Sequence, residues 1–171
     1  AGVQAVSDTL LPPTLAAQAR QGLRDIAARR GLLYGCAAAT YELKDADFRA
    51  ALIQEAGILL AEYEMKRAAI EPEAGTFDFS GGDALLAFAR QHDMKFRGHT
   101  LVWHHSNPPW LEPALQSSGA EKQFSGDIAS IVAHYKGSVQ SGDGVNEAIE
   151  PSEARADGLR NSLWLKRFGP R

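Results

Sequence analysis

Apolar residues fall along this chain in two alternating patterns, stretches with helical spacing and short continuous runs. A helix is predicted over residues 14–30. Pro12 and Pro13 precede it, Leu15, Ala19, Leu23, Ile26 and Ala27 recur at helical spacing, and Gly31 stops it. Residues 32–38 (LLYGCAA) form an apolar run of strand length. Asp45 or Asp47 caps a second helix to about Ala56, with Phe48, Ala51 and Leu52 on one face and Gly57 as its stop. Ile58–Ala61 is a second short apolar run, ending in Glu62, Tyr63 and Glu64. A long connection with Pro72 and Gly75 follows, and Ser80 then opens a helix carrying Ala84, Leu85, Phe88 and Ala89. Residues 95–103 (KFRGHTLVW) form a third candidate strand, and Asn107, Pro108 and Pro109 a loop. Ser125 is expected to cap a helix with Ile128, Ile131, Val132 and Tyr135 on one face, stopped by Gly137. A fourth strand is expected from about Val139 to Val145.

Strands alternating with helices argue for parallel pairing through right-handed crossovers. The loops lengthen after the second and third strands, which is where a (β/α)₈ barrel builds its active site. The competing arrangement is an open, doubly wound sheet. No Gly-rich phosphate-binding motif follows any strand, which weakens its nucleotide-binding versions. A barrel takes about 250 residues; this chain has 171. The expectation is an α/β protein, a parallel barrel of TIM type represented by about its first four strands. Residues 1–171 would form a single partial domain, with no second one.

Composition narrows the function classes. With 18 Lys and Arg against 21 Asp and Glu, the net charge is −3 and no basic run exists, so nothing suggests nucleic acid or a membrane surface as partner. A single cysteine excludes an intramolecular disulfide and a cysteine-based zinc cluster. Cys36, in an apolar run, reads as a small core residue. No apolar run approaches the ~20 residues of a membrane span. The first residues, Ala-Gly-Val-Gln-Ala, fit signal-peptide removal, a cut precursor or a cloned fragment equally well.

Polar residues gather at the expected C-terminal ends of the strands: Glu62, Glu64 and Lys66; His99, Trp103, His104 and His105; Asp143, Asn146 and Glu147. In a parallel sheet these ends share one rim. Carboxyl groups beside amide, imidazole, ammonium and indole suit carbohydrate chemistry, because carboxyls move protons while the others bind hydroxyls or stack on sugar rings. Each residue also has a plainer reading: Glu147 as a solvated loop residue, His99 as a core histidine, Trp103 and Trp110 as packing. His104 and His105, adjacent on a strand, would point to opposite faces, so no metal site is expected.

Four ordered segments then become recognisable. Residues 32–36 (LLYGC), 62–79 (EYEMKRAAIEPEAGTFDF), 97–105 (RGHTLVWHH) and 143–149 (DGVNEAI) resemble glycoside hydrolase family 10, whose typical members are endo-β-1,4-xylanases. The resemblance covers about residues 12–171 and corresponds to the N-terminal half of the family's catalytic barrel. It implies a retaining glycosidase without a cofactor, acting on β-1,4-linked xylan or xylo-oligosaccharide and usually secreted or periplasmic. It implies that Glu147 is the general acid/base and Asn146 the neighbouring amide that binds the sugar 2-hydroxyl. Glu62, Lys66, His99 and Trp103 would bind substrate.

The departures carry expectations of their own. Tyr63 stands where the family has Asn, Arg67 where it has Trp, and Gly142 and Gly144 where it usually has Trp and Val. Two glycines weaken a strand and remove core volume. The family's nucleophile lies on its seventh strand, and no residue of this sequence matches it. A four-stranded half would leave two open edges and a half-exposed inner layer. The alternative to the enzyme is a truncated, catalytically incomplete half-barrel that binds xylan-type glycans or self-associates. Residues 1–171 alone are expected to self-associate or to be partly ordered, and to show no xylanase turnover.

Overall fold

A computed structural model describes residues 21–170. Its helices are α1 (Leu23–Ala28), α2 (Ala46–Glu55), α3 (Arg67–Ile70), α4 (Ser80–Gln91), α5 (Leu111–Leu115), α6 (Ala120–Tyr135) and α7 (Leu163–Phe168). Its strands are β1 (Gly35–Ala38), β2 (Ile58–Ala61), β3 (Lys95–Gly98) and β4 (Ser141–Gly142). The sheet runs β1-β2-β3-β4 with every neighbouring pair parallel, as the alternation of elements predicts. Residues 14–20 of the first expected helix lie outside the described residues; of the rest, only Leu23–Ala28 is helical, entered from an extended Gly22.

Local chemistry explains where several elements start and stop. The Asp45 carboxylate accepts from the backbone N–H groups of Asp47 and Phe48 and so caps α2. Gly137, at φ +75°, carries the chain out of α6 through a conformation that side-chain-bearing residues rarely adopt. At Gly35 the sheet approaches so closely that a Cβ atom would lie 1.7 Å from the Ile58 carbonyl oxygen. Only glycine fits there.

One face of the sheet is covered by α2, α4 and α6. Leu52, Leu59, Leu85, Ala89, Phe96 and Ile131 are buried together between these layers. On the other face Ala37, Leu60, Arg97 and Ser141 lie in register across the four strands, each only half-buried. A smaller cluster joins α5, α6 and α7 through Leu111, Leu115, Ala120 and Trp164.

Four expectations need correction. The third strand ends at Gly98 rather than near residue 103: beyond it, Thr100 Oγ1 and the Leu101 N–H both turn to the Asp143 carbonyl, and pairing resumes only at a bridge between Val102 and Val145. The fourth strand shrinks to Ser141–Gly142, since Gly142 and Gly144 offer no side chain to pack. Helix α6 begins at Ala120, not at Ser125. Its first turn is held by tertiary contacts, with Ala120 buried and the Phe124 ring stacked 4.4 Å from Trp164. Cys36 is exposed, not buried, on β1 at the edge of the sheet.

Beneath α3 lies an ionic cluster. Arg67 and Glu71, with side chains 3% and 0% exposed, form an ion pair at 2.6 Å, and Asp127 stands 3.8 Å from the same guanidinium. The guanidinium also lies 4.6 Å from the centre of the Phe124 ring. Burial pushes the Glu71 and Asp127 carboxyls up, and Arg67 only partly offsets it.

Candidate active site

The parallel sheet brings the C-terminal ends of β2, β3 and β4 to one rim. There a cleft of about 340 Å³, with Leu60 in its lining, is bordered by Glu62, Tyr63, Lys66, His99, Trp103, Asn146 and Glu147. All six site residues expected from the sequence border this single cleft, although 85 positions separate the first from the last.

The β2 end is tied to β1. The Glu64 carboxylate accepts from the Thr40 N–H at 2.5 Å and the Tyr63 N–H at 3.3 Å. Burial raises this carboxyl, but the amide hydrogen bonds outweigh it and hold Glu64 below the usual range. Lys66, immediately before α3, is 6% exposed. Its ammonium lies 5.4 Å from the centre of the Trp103 ring, a cation–π arrangement. Burial pulls its affinity for a proton down, and Glu62, Glu64 and Asp143 partly restore it.

From β3 and β4 comes a chain of polar contacts. Arg97 grips the Asp143 carboxylate with Nε and Nη2. The Oδ2 atom that accepts from Arg97 Nε also accepts from His99 Nδ1 at 2.9 Å, which leaves Nε2 as the free ring nitrogen. The Arg97 hydrogen bond, followed by that of His99, holds Asp143 well below the usual carboxylate range. The Trp103 indole N–H donates to Glu147 at 2.9 Å, and this bond holds the Glu147 carboxyl low, assisted by the nearby charges of His104, Arg160 and His105.

His104 and His105 lie in a bend beyond the third strand, with ring centroids 4.0 Å apart, so strand alternation does not govern them. Among the described residues no three His, Cys, Asp or Glu side chains are placed to hold a metal ion.

Sequence reasoning missed three supporting residues. Asp143 appears in it only as a rim residue, yet it orients both Arg97 and His99. Trp164, buried, donates its indole N–H to the Trp103 carbonyl at 2.6 Å. Arg160 Nε–H donates to the Glu147 carbonyl at 2.8 Å. No local pattern marks the last two; an isolated Trp and Arg after a Gly-containing loop is the whole signal.

A parallel half-barrel with a carboxylate, an amide, an imidazole and an indole at the C-terminal rim defines a glycoside-hydrolase type of barrel. The sequence profile of glycosyl hydrolase family 10 matches residues 22–171, and the chain belongs to that family. Endo-1,4-beta-xylanase A of Thermotoga neapolitana is 39% identical over 119 residues, 64% of this chain and 11% of that protein. Endo-1,4-beta-xylanase 3 of Hypocrea jecorina is 30% identical over 153 residues, 89% of this chain and 43% of that protein. Among solved structures, a glycosylated endo-beta-1,4-xylanase from Gloeophyllum trabeum superposes with a TM-score of 0.78 at 33% identity, covering 88% of this chain and 47% of that one. A xylanase from Thermotoga petrophila, in complex with xylobiose, gives 0.77 at 30% identity, covering 87% and 46%. The chain thus spans about half the length of the barrels it matches, and its fold is the TIM-barrel type expected from the sequence.

Proposed function

We propose that this chain carries the acid/base half of a retaining endo-β-1,4-xylanase site. The observation that supports it is the convergence of Glu62, Lys66, His99, Trp103, Asn146 and Glu147 on one cleft. Glu147 donates a proton to the leaving glycosidic oxygen and then activates water. Asn146 binds the sugar 2-hydroxyl, His99 offers its free Nε2 to a hydroxyl, Glu62 and Lys66 bind further hydroxyls, and Trp103 lines the sugar site. Retention needs a second carboxyl group about 5–5.5 Å away; the family's nucleophile falls on a later strand than any described here. No cofactor takes part in this reading. Xylan is a polymer met outside the cell, so the protein acts secreted or in the periplasm. Among the described residues no helix is long and apolar enough to cross a membrane.

The test joins residues 1–171 to the matching C-terminal half of a family member. Glu147→Gln is expected to lower turnover of xylan by several orders of magnitude. It should slow the first step far less on a substrate with an excellent leaving group, which needs little protonation. Equal losses on both substrates in that step remove the acid assignment.

A second reading, self-association of residues 1–171, draws on the sheet edges at β1 and β4, which no further strand pairs among the described residues. Val145 and Ile149, 62% and 60% exposed, extend the β4 side. Sedimentation decides it: a compact monomer at all concentrations ends the idea. The same chain is expected to release no reducing sugar from xylan.

A further inference from the structure

The segment leading into α7 reaches back to the candidate acid at two points. Arg160 donates from Nε to the Glu147 carbonyl at 2.8 Å and from Nη2 to the Glu150 carboxylate at 2.9 Å. Its backbone N–H donates to the Ala148 carbonyl at 2.8 Å, and the Glu150 N–H donates to the Gly158 carbonyl at 2.9 Å. Ile149 and Leu159 form an antiparallel bridge between these contacts. Residues 147–150 are thereby closed against 158–160 as a small hairpin. Glu147 itself sits at φ +52°, a left-handed conformation sparsely used by residues with a side chain. Such a conformation persists where its surroundings over-determine it. Four residues beyond Arg160, Trp164 donates its indole N–H to the Trp103 carbonyl and stacks its ring on Phe124. Trp103 in turn holds the Glu147 carboxylate.

We propose that Arg160 and Trp164 form a two-point brace for the candidate proton donor. Arg160 fixes the main chain of Glu147, and Trp164 fixes the main chain of Trp103, whose indole aims the carboxylate. Neither residue borders the sugar cleft, so both are positioning residues. The proposal rests on Glu147 as the acid/base of the site. Proton transfer requires the carboxyl within hydrogen-bond reach of the leaving oxygen, and a misplacement of about 1 Å costs on the order of a hundredfold in rate.

The brace can be tested without any sugar. In residues 1–171 the Glu147 carboxyl is followed by carbon-detected NMR titration, and backbone order by amide hydrogen exchange at Glu150. The charged groups facing Glu147 are Arg160 at 4.0 Å, His104 at 3.7 Å, and His105. Arg160→Gln is expected to move the Glu147 midpoint up and to speed exchange at Glu150 about tenfold. Arg160→Lys keeps the charge but loses the planar fork that reaches the Glu147 carbonyl and the Glu150 carboxylate together, so the midpoint stays at the parent value while exchange is as fast as in Arg160→Gln. Trp164→Phe keeps the stacked ring and removes the donor, so the midpoint rises while Glu150 stays protected. Glu150 exchange at the parent rate in both Arg160 variants overturns the brace, because the main-chain contact would then hold nothing. So does a midpoint unmoved in Trp164→Phe. If Arg160→Gln does not fold, the other two variants decide on the same criteria. Loss of the xylanase reading would show in sugar binding and turnover, leaving these three patterns unchanged.

Discussion

The indole N–H of Trp103 donates to the Glu147 carboxylate at 2.9 Å, linking the loop after the third strand to the loop after the fourth. This bond is the largest reason that Glu147 is held below the ordinary glutamate range. A glycosidase acid must instead hold its proton near neutral pH, which a second carboxylate close by brings about. Trp103→Phe is therefore expected to raise the Glu147 midpoint in residues 1–171, read by NMR titration. Because the folded value is depressed, the stabilisation from this bond is present above the unfolded value and disappears as pH falls through the folded one. An unchanged midpoint contradicts the assignment of the indole as the cause.

Asp143 joins β3 to β4 through Arg97 and His99. Asp143→Asn is expected to cost about 1 kcal/mol at pH 7, a modest figure because the Arg97 side chain is 41% exposed and screened. The Asp143 carboxyl is depressed in the folded state, so its contribution exists above the unfolded value of about 3.9 and fades as pH falls. Urea midpoints of the two proteins should converge on acidification. A gap that stays constant with pH rules this explanation out.

Arg67 compensates two buried carboxylates, Glu71 and Asp127. Removing one partner of a buried ion pair costs about 3–5 kcal/mol, since the remaining charge is stranded. Arg67→Leu should thus destabilise strongly at pH 7. Glu71 and Asp127 have raised folded values, so they favour the fold when protonated, and stability declines as pH rises through those values. The penalty of Arg67→Leu is expected to shrink at pH 4, as measured by thermal denaturation. A larger penalty in acid would reverse the argument.

Gly35 meets the Ile58 carbonyl too closely for any side chain. Gly35→Ala should cost about 1–3 kcal/mol through displaced backbone. The expected structural sign is faster amide exchange along β1 and β2. Wild-type stability in this variant would show that the strands can separate freely.

Much of the architecture is legible in local pattern. The apolar runs at 32–38 and 58–61 and the candidate strand at 95–103 each contain their strand; the helix at 46–55 falls where its cap Asp45 places it, and that at 80–91 starts at Ser80 as its spacing suggests. The motif residues too, from Glu62 to Glu147, reach one rim because a parallel sheet puts every strand end on the same side. What local pattern could not carry is whatever depends on distant partners. The start of α6 five residues before Ser125 depends on Phe124 meeting Trp164. The early end of β3 depends on Thr100 and Leu101 turning to Asp143.

The sequence by itself determined the order of elements, the parallel sheet and the chemical types at the rim, because periodicity, capping and strand direction are properties of near neighbours. Tertiary structure alone decided the protonation of those groups and the aim of Glu147. Charge depends on burial and on atoms a few ångströms away, and here those atoms belong to Trp103, Arg97, Arg160 and Trp164, each on another element or loop.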